Sequence, residues 1–513
     1  MDSIINRVVD GSPSPHNTIT FHQGGQQTRL DLRELDRLAR RVALYLKRLG
    51  VGQGDRIGLI SRNRLEWVLL DLAALKIKAV TAGFEAGKFG PPSELIARYN
   101  LRLIFTDQPA DEEERIIPID TLLSSVSDIP EAADLAPATY NNAEVTTIKF
   151  TSGSTGEPKG LAATVGSIDS SISAVQALFG HAASDKLFVF LPLSLLQQRY
   201  WIYSALVYGH DVVVTTYELS FRALQREQPT VIMGVPGFFE TVRKAIEVRI
   251  ASEPDRDRCG DEAKEMRRRC AASVLGPHVR YLWTGSAPAS PDLLRFFCSC
   301  DIAIFEGYGM NETCIVTKNT PGAHRPGSVG QPIAGKHIAL DADGVVIVKS
   351  DFPVNTRYLF SRPGESERIF MPDGTVRTGD LGRIDADGFL YILGRADDLV
   401  VLKNGRNVLV RPIEERLRAC PHIVDCIVVG FGFSRLCAIV YASNIRTMRP
   451  GIEQHIATIN RDVSDDEKIG GIVLADEPFT IENGLLTSQY KPRRKEIVSR
   501  YERKLTELTG ARQ

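Results

Sequence analysis

Apolar residues return at every third or fourth position between residues 31 and 49: Leu32, Leu35, Leu38, Val42, Tyr45 and Leu49. That period draws one stripe along an α-helix, and Gly50 supplies its stop. The pattern then shortens. Arg56-Ile57-Gly58-Leu59-Ile60 reads as a buried strand and Ala79-Val80 as the start of another. Between them, Ser61 is the expected cap of a helix with Leu65, Leu69, Leu72 and Leu75 on one face. Further short strands are expected over 145–150, 187–192, 211–216, 230–235, 281–284 and 302–305, with helices over 167–179 and 193–208. This alternation predicts a parallel, doubly wound sheet covered by helices. Tyr200, Trp201 and Tyr203 in the apolar 193–208 stretch read as core. Residues 124–143 lack periodicity and read as a connecting loop, and 252–270 reads as a solvated, charge-rich insert.

Beyond residue 340 the texture changes. Asp343-Gly344, Asp373-Gly374 and Asp387-Gly388 are turn signals between short alternating strands. After Gly394-Arg395-Ala396-Asp397-Asp398 the strand and helix signals restart, and the remaining length suits a separate domain. The expected fold class is therefore α/β. A large N-terminal domain of doubly wound sheets with a small β-barrel-like subdomain (residues 1–395) precedes a smaller, mobile α+β C-terminal domain (396–513).

Candidate chemistry begins where strands end. The 145–150 strand runs into Thr151-Ser152-Gly153-Ser154-Thr155-Gly156-Glu157-Pro158-Lys159-Gly160. Glycines let backbone N–H groups approach an anion, hydroxyls add donors, and the lysine adds a mobile positive charge. The stretch is not the Walker pattern, because Gly160 rather than Ser or Thr follows Lys159. Two further strands are expected to end in glycine-bearing loops, at Gly285-Ser286-Ala287-Pro288 and at Gly307-Tyr308-Gly309-Met310-Asn311-Glu312-Thr313. In open α/β sheets the carboxyl ends of strands line the ligand crevice, so the three loops are expected around one site.

Composition narrows the partners. A formal net charge of -1 gives no electrostatic reason for a nucleic-acid partner. The eight cysteines include no C-x-x-C pair and read as reduced thiols. No secretory signal and no stretch of 18 apolar residues is evident, so a cytoplasmic protein without a transmembrane segment is expected.

Several motifs then follow in order: Gly285-Ser286-Ala287-Pro288, Tyr308-Gly309-Met310-Asn311-Glu312-Thr313, Arg377-Thr378-Gly379-Asp380, Gly394-Arg395-Ala396-Asp397-Asp398, Lys403-Asn404-Gly405, and the tail Asn483-Gly484-Leu485-Leu486-Thr487-Ser488-Gln489-Tyr490-Lys491. With the 151–160 loop, they resemble the signature set of the adenylate-forming superfamily, from about residue 28 to about 508. The Gly-Ser-Ala-Pro turn and the Lys-Pro-Arg-Arg tail look most like the long-chain acyl-CoA synthetase branch.

The resemblance implies a reaction and a set of roles. A carboxylate would attack the α-phosphate of ATP, and the resulting acyl-adenylate would then yield its acyl group to the thiol of CoA. Thr151, Ser152, Gly153, Ser154, Thr155, Gly156 and Lys159 would hold the β- and γ-phosphates. Glu312 with Thr151 would help to hold Mg²⁺. Gly285, Ser286 and Ala287 would form the adenine-proximal turn, Tyr308 and Gly309 would bind the nucleotide, and Asn311 would lie near the adenine or the acyl carbonyl. Asp380 would accept from the ribose hydroxyls, and Arg395 would contact ribose or phosphate. Lys491 would reach the α-phosphate and the carboxylate, Asp397 would be the pivot of the small domain, and Gly405 would line the pantetheine path.

Four positions depart from the superfamily pattern: Val165, Leu195, Asn311 and Val376. Val165 and Leu195 stand where a histidine is common, near the acyl pocket or its mouth. The expected function is AMP-forming activation of a fatty or similarly apolar acid and its transfer to CoA. The alternatives are transfer to a carrier protein or another nucleophile, with a specialised biosynthetic acid, and a nucleotide-binding homologue without activity.

Overall fold

The computed structural model describes residues 3–109, 113–130, 135–151, 158–254, 260–402, 406–430, 435–442, 445–486 and 492–510. Its internal contacts define two compact units. The first is Met1–Ala339 with Ile347–Thr378 and Ile384–Tyr391; the second is Leu340–Val346 with Gly379–Arg383 and Ile392–Gln513.

In the first unit, the helix read from the 31–49 stripe runs Leu32–Arg48. Asp31 Oδ1 accepts from the Glu34 N–H at 2.7 Å, and the Glu34 carboxylate accepts from the Asp31 N–H at 2.8 Å. This reciprocal box satisfies donors that a helix start leaves open, and loss of such a cap costs about 1 kcal/mol. Leu32, Leu35, Ala39, Val42, Ala43 and Leu46 form the buried face.

The next helix corrects the sequence reading. It runs Leu65–Lys76, its N-cap is Arg64, and no side chain caps it. Ser61 lies too far upstream and gives its hydroxyl to the Arg62 carbonyl at 3.0 Å. Every residue of this helix is buried, so it is enclosed on all sides and not merely on its leucine face. Even Lys76 is inside, donating to Asp36 Oδ1 at 2.6 Å and to the Val9 carbonyl at 2.8 Å.

Two sheets carry the first unit. The nine-stranded one runs Gln331–Pro332, Cys314–Lys318, Ile304–Met310, Tyr281–Thr284, Val231–Gly234, Lys186–Val189, Asp211–Val214, Thr18–Gln23, Gln26–Asp31. Its central strands are parallel. The six-stranded one runs Ile116–Pro118, Leu103–Thr106, Arg56–Ile60, Val80–Phe84, Val145–Thr151, Lys159–Thr164, parallel until the last pair. Short, apolar parallel strands of this kind need cover on both faces. Tyr200, Trp201 and Tyr203 of the helix Leu196–Tyr208 are buried in that cover, as expected. The charged insert contains a helix, Asp261–Leu275, that exposes Arg267, Arg268 and Arg269 and buries Met266, Cys270, Ala271 and Val274.

The strands Lys336–Leu340, Val345–Ser350, Val376–Ile384 and Leu390–Arg395 make the small sheet expected from the Asp-Gly turns. The second unit holds the strands Asp425–Val429, Leu436–Tyr441 and Ile469–Leu474 with the helices Arg411–Arg418, Ile445–Arg461 and Arg494–Arg500. The mixed α/β expectation holds. Among the described residues no helix is long and apolar enough to cross a membrane.

Candidate functional site

The strand Val145–Thr151 pairs antiparallel with Lys159–Thr164, so Thr151 faces Lys159 across the ladder and Phe150 faces Gly160. The motif is therefore a strand–loop–strand. Ser152, Gly153, Ser154, Thr155 and Gly156 lie outside the described residues, as does the side chain of Thr151. Gly160 also exchanges both backbone hydrogen bonds with Leu359, at 2.9 and 2.7 Å. A Cβ at Gly160 would stand 3.1 Å from the Phe360 ring and 3.3 Å from Leu359 Cβ, so glycine permits this approach.

That bridge places Tyr358. Lys159 Nζ lies 5.0 Å from the centre of the Tyr358 ring and 3.2 Å from Glu365 Oε1. The Tyr358 hydroxyl donates to Glu312 Oε1 at 2.6 Å. Lys159 and Glu312, far apart in sequence and in different sheets, are thus joined through one tyrosine. Tyr358 and Glu365 were not signalled by any motif; a lone tyrosine between strands carries no distinguishing pattern.

Glu312 itself is set by a hairpin, and here the sequence reading needs correction. Gly307, Tyr308 and Gly309 are not a loop after the strand. They belong to Ile304–Met310, which pairs antiparallel with Cys314–Lys318 through a bulge at Tyr308/Gly309. Glycine-rich sequence reads as loop locally, yet the tertiary ladder overrides that weak preference. Asn311, Glu312 and Thr313 form the tight turn, closed by the Met310 N–H donating to Thr313 Oγ1 at 3.2 Å. The turn holds Glu312 buried, 6% exposed.

The neighbouring parallel strand Tyr281–Thr284 ends at Gly285, which lies against the Gly307 backbone. Ser286 and Ala287 are exposed, and Ser286 has φ +66°. Just inside that turn the Thr284 hydroxyl is buried without a hydrogen-bond partner. So is Asn355 Oδ1, whose amide nitrogen donates to the Glu312 carbonyl at 3.4 Å. Glu312 offers a buried carboxylate, a hard oxygen donor of the kind that Mg²⁺, which keeps few protein ligands, takes.

Within the second unit, Arg395 Nη1 donates to Asp380 Oδ1 at 3.1 Å, and Arg395 Nη2 lies 3.7 Å from Asp397 Oδ2. Asp397 sits in the short turn Ala396–Asp398. Its neighbour Asp398 pairs with Arg494 Nε at 3.1 Å. Arg494 also donates to both oxygens of buried Glu414 at 2.7 Å. Burial raises the Glu414 carboxyl, while Arg494 and Arg418 oppose that. Gly405 and Lys491 lie outside the described residues. Arg494 stands three positions after Lys491, and the motif reading gave it no role.

Comparison with known proteins now bears on this arrangement. A family model described as AMP-binding enzyme matches residues 10–348, and one described as AMP-binding enzyme C-terminal domain matches residues 397–509. A long-chain-fatty-acid–CoA ligase, FadD15, of Mycobacterium bovis is 28% identical over 454 residues, covering 76% of this chain and 73% of its own. A 2-succinylbenzoate–CoA ligase of Bacillus subtilis is 27% identical over 420 residues, covering 77% and 79%. The ATP-bound structure of MatB from Rhodopseudomonas palustris superposes with a TM-score of 0.77 at 22% identity, covering 97% of this chain and 98% of that one.

Proposed function

The chain belongs to the AMP-binding enzyme family, an AMP-forming acid–CoA ligase by class, and we propose the following assignment of its reaction to its residues. A substrate carboxylate attacks the α-phosphate of ATP. The O–Pα bond forms as the bond to the pyrophosphate oxygen breaks, leaving an acyl-adenylate. The CoA thiol then attacks the activated carbonyl, loses its proton, and expels AMP. The first step brings two anions together, so charge neutralisation and alignment carry it.

The observation that best supports this reading is the Tyr358 link between Lys159 and Glu312. It sets a cation at the exit of the 151–160 loop beside the buried carboxylate of the hairpin. Lys159 and residues 151–156 hold the β- and γ-phosphates. Glu312, with Thr151, would hold Mg²⁺, which would supply positive charge to offset the triphosphate. Gly285, Ser286, Ala287, Tyr308, Gly309 and Asn311 surround the base. Asp380 takes the ribose hydroxyls, and Arg395, already hydrogen-bonded to it, steadies that carboxylate. Lys491 reaches the α-phosphate from a domain of residues 396–513 that turns about Asp397, after which Gly405 lines the thiol path.

The acid is a fatty or similarly apolar one. The similarity to a protein named for long-chain fatty acids supports that, as does the replacement of polar residues by Val165 and Leu195. The test is a product-mass assay with ATP, Mg²⁺, CoA and a mixed acid panel. AMP, pyrophosphate and an acyl-CoA are expected together. Pyrophosphate without a CoA thioester would transfer the second step to a carrier protein or another nucleophile, and no exchange with any acid would remove the enzymatic reading.

A further inference from the structure

Lys149 lies between Ile148 and Phe150 in the strand Val145–Thr151 and is 4% exposed. It makes no hydrogen bond or ion pair with any described residue. Arg199, Cys314 and Glu312 are among its nearest titratable neighbours. A buried ammonium with three donors and no acceptor among the described residues is costly, and a chain gains by exchanging it for an apolar residue unless a ligand needs it.

Its placement points to the site. Lys149 pairs with Gly83 across the parallel ladder. Strand alternation puts it on the face of Thr147, whose hydroxyl accepts from Arg199 Nη1 at 3.0 Å. It stands two positions before Thr151, where the candidate phosphate loop begins. Gly83 lets the segment of Ser194 pack close to this strand: a Cβ there would stand 3.1 Å from Ser194 Cα, next in sequence to Leu195.

The charges around it do not balance. Arg199 is matched by Asp71 at 2.9 Å. Lys336 donates only to neutral oxygens, the Thr313 carbonyl at 2.9 Å and Ser350 Oγ at 2.8 Å. Glu312 accepts from the neutral Tyr358 hydroxyl and keeps its charge, but it forms no ion pair with either lysine among the described residues. Lys149 and Lys336 therefore both lack a carboxylate among the described residues, and of the two only Lys149 also lacks neutral acceptors.

We propose that Lys149 is the anion receptor of the acid site: its ammonium takes a carboxylate of the acid substrate. This rests on the acid–CoA ligase reading above. The carboxylate is either the reacting one of a monoacid or the second one of a diacid, and the same experiment separates these sources.

The full chain and the variants Lys149→Met and Lys149→Gln are compared by ATP–pyrophosphate exchange. Chain-length-matched mono- and dicarboxylic acids are varied at saturating ATP, and ATP is then varied at saturating acid. Thermal unfolding is followed in parallel. The KM for acid is expected to rise roughly tenfold or more, the scale of one charged hydrogen bond, with the KM for ATP unchanged. The melting temperature of Lys149→Met should hold or rise, because a buried charge has been removed. An equal rise for both acid classes identifies the reacting carboxylate; a loss confined to diacids identifies the second one. An active wild type whose variants keep the same acid KM, or lose only ATP affinity, overturns the proposal. Should Lys149→Met fail to fold, the polar Gln variant decides by the same readout. A wild type silent with every acid sinks the ligase reading first, and this inference with it.

Discussion

The Tyr358 hydroxyl donates to Glu312 Oε1 at 2.6 Å, across 46 positions of sequence. A hydrogen bond to a charged group contributes about 1.5–3 kcal/mol, so Tyr358→Phe is expected to lower ATP–pyrophosphate exchange roughly tenfold. Because Glu312 is the assigned metal-side carboxylate, part of the loss should be recovered at higher Mg²⁺. A Mg²⁺ titration of both proteins checks this; superimposable curves would separate the pair from catalysis.

How far such a relationship can be read from sequence depends on its range. The Leu32–Arg48 helix was legible because its apolar stripe and its Asp31–Glu34 box are both local. The Ser61 cap failed because residues 61–64 are held outside the helix by distant partners: Asn63 donates to the Leu191 and Thr215 carbonyls and accepts from the Leu193 N–H. Glu312 was legible from its flanking Tyr308, Gly309 and Thr313, whereas the hairpin that holds it was not, since its pairing strand is itself only defined by the fold. Tyr358 had no local signal. Lys149 did have one: a lysine stands directly between the apolar Ile148 and Phe150 in a strand.

Gly379 has φ +74°, and a Cβ there would stand 2.9 Å from Arg395 Nη2. Gly379→Ala is thus strained twice, by its backbone and by the guanidinium that donates to Asp380. The expected outcome is a raised KM for ATP, roughly threefold to tenfold, with a loss of about 1 kcal/mol in stability. Steady-state kinetics with ATP varied, beside thermal unfolding, checks both. Stability lost with unchanged ATP affinity would make the Arg395–Asp380 contact purely structural.

Glu306 underlies the same hairpin and accepts from the Gly327 N–H at 2.8 Å. Burial raises its carboxyl to about 7; the Gly327 N–H and Lys318 oppose the shift. Lys318 is itself buried, donating to the Phe305 carbonyl at 2.7 Å beneath the Trp283 ring, and burial pushes its ammonium well down. A raised folded-state value means that the carboxyl favours folding below its unfolded value of 4.5 and that this contribution is lost as pH rises towards about 7. Glu306→Gln keeps an acceptor for Gly327 and cannot ionise. It should flatten the fall in stability over that window and exceed the wild type at pH 8 by up to roughly 3 kcal/mol. Denaturant unfolding from pH 4 to pH 8 measures it; parallel curves for the two proteins would mean that Lys318 keeps Glu306 ionised throughout.

Lys491 tests the division of labour between the two steps. Its assigned partners, the α-phosphate and the substrate carboxylate, are engaged only while the adenylate forms. Lys491→Ala should therefore lower exchange by ~10²-fold or more, the scale of losing one donor to a transition state. The thiol step starts from an adenylate already made, so CoA should still discharge supplied acyl-AMP at the wild-type rate. Arg494 offers the matching control within the second unit. It binds Asp398 next to the assigned pivot and stands three residues beyond the lysine, so Arg494→Met should slow both half-reactions. A Lys491→Ala protein that adenylates normally would move the catalytic lysine elsewhere, and one that loses both steps equally would assign Lys491 to positioning rather than to the α-phosphate.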